Sequence, residues 1–94
     1  MSYALDITDE AAEDLERLIE SLPADRRADA LNGVETALER LAANPKLAVR
    51  QPLGRPLYRF SFRAADVTYH WGATFQYGQE ERTIQVTHMF RVAL

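Results

Sequence analysis

Between Arg55 and Val92 apolar and polar residues alternate in three successive runs, a pattern few folds accommodate. The first run is Leu57–Phe62, with Tyr58, Phe60 and Phe62 on one parity and Arg59 and Ser61 between them. The second is Val67–Tyr77, with Val67, Tyr69, Trp71, Ala73 and Phe75 set against Thr68, His70, Thr74 and Gln76. The third is Arg82–Val92, with Ile84, Val86, Phe90 and Val92 set against Thr83, Gln85 and Thr87. A period of two over this length marks strands buried on one face only. The runs predict one antiparallel sheet whose ring-bearing side needs a cover and whose polar side stays open.

The preceding half supplies the cover. Tyr3–Ile7 alternates and reads as a short strand. Thr8 suits a helix N-cap, and Asp9 and Glu10 follow where negative charge favours the positive end of the helix dipole. Ala11, Leu15, Leu18, Ile19 and Leu22 recur at helical spacing until Pro23 ends the ladder. A second helix starts near Ala24 or Asp25, carries Leu31, Val34, Leu38, Leu41 and Ala42 as its stripe, and stops at Asn44-Pro45. Gly33 within it costs about 1 kcal/mol of helix propensity relative to Ala, and close contact with the first helix would explain its presence. The short break between the helices implies an antiparallel pair. The expected fold is α+β: an N-terminal strand, then a two-helix hairpin packed on one face of a mainly antiparallel sheet of about four strands. Residues 1–94 read as a single domain. Lys46 to Pro56, punctuated by Pro52, Gly54 and Pro56, reads as a basic loop.

Charge divides with the halves. Residues 1–45 carry eleven acids and four arginines, a balance of −7; residues 46–94 carry seven bases and three acids, a balance of +4. The acidic half reads as solvated helix faces, or as the counterpart of a basic sheet surface suited to a polyanion or an acidic partner. Cysteine is absent, which removes disulfides and thiolate chemistry and fits a reducing compartment. No run approaches the ~20 apolar residues of a membrane helix, and the first residues lack a signal-like pattern. Cytoplasmic location and no membrane partner are expected.

A four-residue turn over Arg63–Asp66 would set Phe62 against Val67, Phe60 against Tyr69 and Tyr58 against Trp71. On the open side Ser61 would then face Thr68 and Arg59 would face His70, with Thr87 or Met89 beside His70 and Arg63 at the rim. Arg59 and His70 read either as a solvated cross-strand pair or as an anion clamp with a proton donor. Parity puts His88 on the covered face, where a lone imidazole is expected to be a hydrogen-bonded core residue. Histidines on opposite sides of a sheet do not share a metal, and no metal or cofactor is expected.

Four segments carry a family resemblance: Leu5-Asp6-Ile7-Thr8-Asp9-Glu10-Ala11, Leu38-Glu39-Arg40-Leu41-Ala42-Ala43-Asn44-Pro45, Leu53-Gly54-Arg55-Pro56-Leu57-Tyr58-Arg59 and Val86-Thr87-His88. In this order and spacing the chain resembles the RelE/ParE toxin superfamily of type II toxin–antitoxin modules. The resemblance implies helices on one side of an antiparallel sheet and a cognate antitoxin that wraps helices or a strand over the toxin, as a hetero-oligomer or dimer. RelE-like members cleave mRNA on the ribosome without metal, using basic and His or Tyr side chains of the open face. ParE-like members poison DNA gyrase instead and lack that set. Carried onto this chain, the resemblance implies His88, His70 and Arg63 as catalytic candidates and Arg59, Arg63, Arg55 and Arg91 as nucleic-acid contacts. Ser61, Asp66 and Met89 stand where family members are commonly basic. A non-catalytic member acting as an interaction module is a further reading.

Overall fold

A computed structural model describes residues 3–48, 54–78 and 82–92. The elements run β1 (Ala4–Ile7), α1 (Asp9–Glu20), α2 (Arg27–Ala43), β2 (Leu57–Ala64), β3 (Val67–Tyr77) and β4 (Thr83–Arg91), with single 3-10 turns at Ala24–Arg26 and Pro45–Leu47. The sheet order is β1-β4-β3-β2; β1 lies parallel to β4, and the other pairs are antiparallel. The predicted α+β arrangement is therefore present, with one parallel pair at the β1 edge.

Local chemistry sets the helix ends. The Ala11 N–H donates to Thr8 Oγ1 at 3.2 Å, and Thr8 Oγ1 donates to the Thr87 carbonyl at 3.3 Å. One side chain thus caps α1 and fastens it to β4. At the other end Arg27 donates from Nε to the Leu22 carbonyl and from Nη2 to the Glu20 carbonyl, both at 3.1 Å. Carbonyls that lack helical partners are satisfied there by a guanidinium. Asn44 Oδ1 accepts from the Lys46 N–H at 3.3 Å where α2 gives way to Pro45.

The helices divide the sheet between them: α1 packs along β4 and α2 along β2. Val34, Leu38 and Leu41 of α2 and Ala11 of α1 meet Tyr58, Phe60, Phe62, Trp71, Phe75, Ile84 and Val86 in one core. Trp71 is 1% exposed, and its ring meets Phe62 edge-on at 4.8 Å and 85°. The ring-bearing parity faces the helices, as the alternation predicts. Where β1 ends, α1 takes over the β4 edge: the Thr8 N–H donates to the Val86 carbonyl and Asp14 Oδ2 accepts the Met89 N–H, each at 3.1 Å.

Four expectations are corrected. The β2–β3 turn has two residues, not four: Ala64 pairs with Val67, and Ala65 adopts the left-handed conformation at φ 51°. Every β2–β3 pair therefore moves by two residues, which preserves parity but changes partners. Secondly, Gly33 approaches Phe62 of β2 rather than α1. Leu31, placed in the α2 stripe, is 39% exposed. Finally, a bulge lies opposite Thr74 and Phe75: Phe75 pairs with Val86 and Thr74 with His88, leaving Thr87 as the extra residue. The expected Lys46–Pro56 loop begins as a 3-10 turn, while residues 49–53, Arg50 among them, and residues 79–81 lie outside the described residues.

Candidate anion-binding face

Register decides which side chains share the uncovered side of the sheet. Arg63 lies opposite Thr68, Ser61 opposite His70 and Arg59 opposite Gly72. Arg59, Ser61, Arg63 and Thr68 are exposed and His70 is half-buried. His70 thus faces Ser61 directly, with an arginine on either diagonal, each about 7–8 Å away across the ladder. The expected direct Arg59–His70 pairing is corrected by the shorter turn. The His70 carbonyl accepts the Val92 N–H at 2.9 Å, so the neighbour on the β4 side is Val92, not Thr87 or Met89.

Arg59, Ser61, Arg63 and His70 form a compact polar patch with two fixed positive charges. Arginine presents planar paired donors to oxyanions, and a serine hydroxyl between two such groups adds a neutral donor. The opposite end of the same face differs. Gln76 Nε2 donates to Gln85 Oε1 at 2.6 Å, and Gln85 Nε2 donates to Asp6 Oδ2 at 3.1 Å. The open face runs from a cationic end at the β2–β3 turn to an amide and carboxylate ladder at β1.

His88 is displaced from its expected place by the bulge. Its register partner is Thr74, so it lies on the open side rather than among the core rings. Its side chain is 49% exposed, and Nε2 sits 3.1 Å from Glu10 Oε2 at the start of α1. Thr74 lies four positions along β3 from His70, about 13 Å at the rise of a strand. Hence His88 does not converge with His70 and Arg63, although those two lie near each other. Arg91 is corrected as well. It pairs with Trp71, whose side chain faces the helices, and its guanidinium donates to Ser21 Oγ at the end of α1. Arg55 is exposed in the bend before β2, four positions ahead of Arg59 and outside the strand.

The bulge also exposes a residue that the alternation hides. Phe90 lies opposite Gly72, and a β-carbon on Gly72 would meet the Phe90 ring and Val92 at 3.1 Å. Phe90 and Val92 therefore pack over Gly72 on the open side, although both carry the parity of Ile84 and Val86. The signal was the adjacent polar pair Thr87-His88, which breaks the period of two, together with a glycine in the middle of β3.

Two groups elsewhere depart from ordinary titration. The Tyr69 hydroxyl, 2.9 Å from Arg26 Nη1, raises the Arg26 guanidinium above its usual value. Burial pushes the Tyr58 phenol up, opposed by Arg40.

Comparisons with known proteins agree with this geometry. The family described as ParE toxin of type II toxin-antitoxin system, parDE, matches residues 5–91. The RelBE2 toxin-antitoxin complex of Mycobacterium tuberculosis contains a chain of similar fold, with a TM-score of 0.58 at 21% identity over 98% of this chain and 100% of that one. A mutant of the E. coli toxin RelE in the free state gives 0.60 at 17% identity, covering 97% and 84% of the two chains. The intact E. coli RelBE toxin-antitoxin complex gives 0.61 at 14%, covering 99% and 100%. At these identities the structures establish a shared fold. No curated protein sequence matches. The family match spans almost the whole chain: it belongs to the ParE toxin family of type II toxin–antitoxin systems.

Proposed function

We propose that this toxin acts by binding rather than by cutting RNA, with DNA gyrase as its target and a cognate antitoxin as its neutralising partner. One observation carries the reading. Arg59, Ser61, Arg63 and His70 cluster on the open face, whereas His88, the second proton-transfer candidate, sits about four strand residues away beside Glu10. Hydrolytic or transesterifying cleavage needs a base, an acid and charge stabilisation around one phosphate. A cationic patch with one imidazole supplies the charge and a single proton carrier. Ser61, Asp66 and Met89 add no cation where family members commonly carry one. The patch suits docking onto an acidic or phosphate-bearing surface. The antitoxin follows from the family match and from the similarity to chains solved within toxin-antitoxin complexes.

Expression alone slows bacterial growth in this reading, and co-expression of the neighbouring gene relieves it. Purified toxin inhibits gyrase supercoiling and leaves ribosome-bound mRNA intact. Unimpaired growth at high expression would count against an active toxin, and mRNA cleavage with untouched supercoiling would move the target to the ribosome. That second reading, a metal-independent ribosome-dependent endoribonuclease, draws its support from His70 facing Ser61 between two arginines. There His70 would move the proton and Arg59 and Arg63 would hold the phosphate.

A further inference from the structure

The apolar surface of the helices does not end at the core. Ile7 is 40% exposed and Leu31 39%; with Leu15 and Ile19 they line a cleft of about 510 Å³ along α1, together with Glu16 and Glu20. On α1 the residues Ala12, Leu15 and Ile19 recur at i, i+3 and i+7, while Asp9, Glu13, Glu16 and Glu20 recur at i, i+4, i+7 and i+11. One flank of the helix therefore carries an apolar row beside an acidic row. The acidic row is about 16 Å long at the rise of a helix. All four of its residues are exposed, and none forms an ion pair among the described residues.

The open face of the sheet has the same layout with the opposite charge. Arg59 and Arg63 stand about 13 Å apart along β2, both exposed and neither in an ion pair among the described residues. Phe90 lies in the row of Arg59 across Gly72, and Val92 lies beside His70. These two apolar side chains run parallel to the arginines, two strand spacings away at about 10 Å. A cationic row flanked by apolar groups thus matches an acidic row flanked by apolar groups, at similar length. Neither surface matches itself. Two open faces in contact would set arginine against arginine, and two α1 flanks would set one carboxylate row against the other. Like charges brought together across an interface repel.

We propose that the α1 cleft receives a second copy of this chain: the open face of one molecule docks on the acidic, apolar flank of α1 in the next. Ion pairs join Arg59 and Arg63 to the carboxylate row, and Phe90 and Val92 shield Leu15, Ile19 and Leu31 from water. The two surfaces sit on opposite sides of the sheet, so each molecule uses one of each and the contact propagates head to tail. Patches of this composition make weak, concentration-dependent contacts rather than obligate ones. Every contact covers a pair of open-face arginines. That consequence rests on the reading of the open face given above: crowded toxin is masked from its target by its own helices, and dilution releases it.

Sedimentation equilibrium at physiological salt tests the contact. The average mass of the wild-type chain is expected to climb with concentration past that of two copies. R59Q/R63Q and E13Q/E16Q/E20Q, each with unchanged circular dichroism, lose one half of the contact, and each alone is expected to associate about tenfold or more weakly. Mixed in equal amounts they supply one intact half each, so assembly is expected to recover but to stop at two copies. A wild type that stays monomeric or stops at two copies would overturn the proposal. So would association untouched by either variant, or a mixture that fails to recover. A single-stranded oligonucleotide competes for Arg59 and Arg63 and is expected to disperse the wild-type assembly. An oligonucleotide that does not bind, while assembly keeps its dependence on these charges, would sink the anion reading of the face and leave the self-contact standing.

Discussion

Gly33 of α2 sits directly over Phe62 of β2: a β-carbon built on the glycine would lie 2.5 Å from Phe62 Cβ and 2.7 Å from its Cγ. Phe62 Cβ is fixed by the strand backbone and cannot swing aside as the tip of a long side chain can. Gly33→Ala gains about 1 kcal/mol of helix propensity but overpacks the helix–sheet junction, which typically costs about 1–3 kcal/mol. The expected outcome is a net loss of up to about 2 kcal/mol, read as a lower urea midpoint at unchanged slope. A gain in stability would mean that α2 stands further from β2.

The bulge makes a second testable unit. Thr87 is 4% exposed; its Oγ1 donates to the Thr74 carbonyl at 3.1 Å and lies 2.9 Å from Thr74 Oγ1. Thr87→Val keeps the shape and removes the hydroxyl, so it is expected to cost about 1–3 kcal/mol through the groups left unpaired. In T74V/T87V one hydroxyl no longer faces an apolar group, and the double variant should lose less than the sum of the singles. Strictly additive losses in a double-mutant cycle would show that the hydroxyls do not interact.

The open face predicts a contrast between arginines. Arg59→Ala and Arg63→Ala should each weaken binding to a single-stranded oligonucleotide at low salt and flatten its salt dependence, by roughly 0.7 in slope for every phosphate the variant no longer neutralises. Arg91→Ala should leave that slope unchanged, because Arg91 bonds to Ser21 on the helix side. Equal slopes for all three variants would dissolve the distinction between the faces.

Parity was legible because one face of each strand is buried, so Tyr58, Phe60, Phe62 and Trp71 had one place to go. Turn length was not. Ala64-Ala65-Asp66 contains none of the glycine or Asn-Gly signals that mark a two-residue hairpin, and the left-handed residue is an alanine. That single uncertainty moved Arg59 from His70 to Gly72. The bulge reassigned His88 and Phe90 to the open side, and the hints of it were the consecutive polar residues Thr87 and His88 and the glycine at position 72. Helix spacing identified Val34, Leu38, Leu41 and Ala42 as buried in α2 but wrongly added Leu31, and the partner of Gly33 depends on which strand α2 covers, a tertiary fact. Arg59 and Arg63 were legible as open-face cations since their parity survives any even shift in register.

Tyr58 links the helix cover to pH. Its ring is buried between α2 and β2, and that burial holds the phenol above the ordinary tyrosine value while Arg40 opposes the shift. Unfolded tyrosines ionise near pH 10. Above that pH the unfolded chain releases a proton that folded Tyr58 still retains, so the unfolded state binds fewer protons and the unfolding free energy falls as pH rises. Below it both states are protonated and Tyr58 contributes no slope. Urea unfolding from about pH 9 to about pH 11 should therefore show a steeper alkaline loss in the wild-type chain than in Tyr58→Phe, which keeps the ring and removes the titrating group. Arg40→Ala sharpens the test: without the opposing cation the phenol rises further, and the loss should continue to higher pH. Parallel curves for wild type and Tyr58→Phe would mean that the phenol reaches water freely and that α2 leaves this end of β2 uncovered.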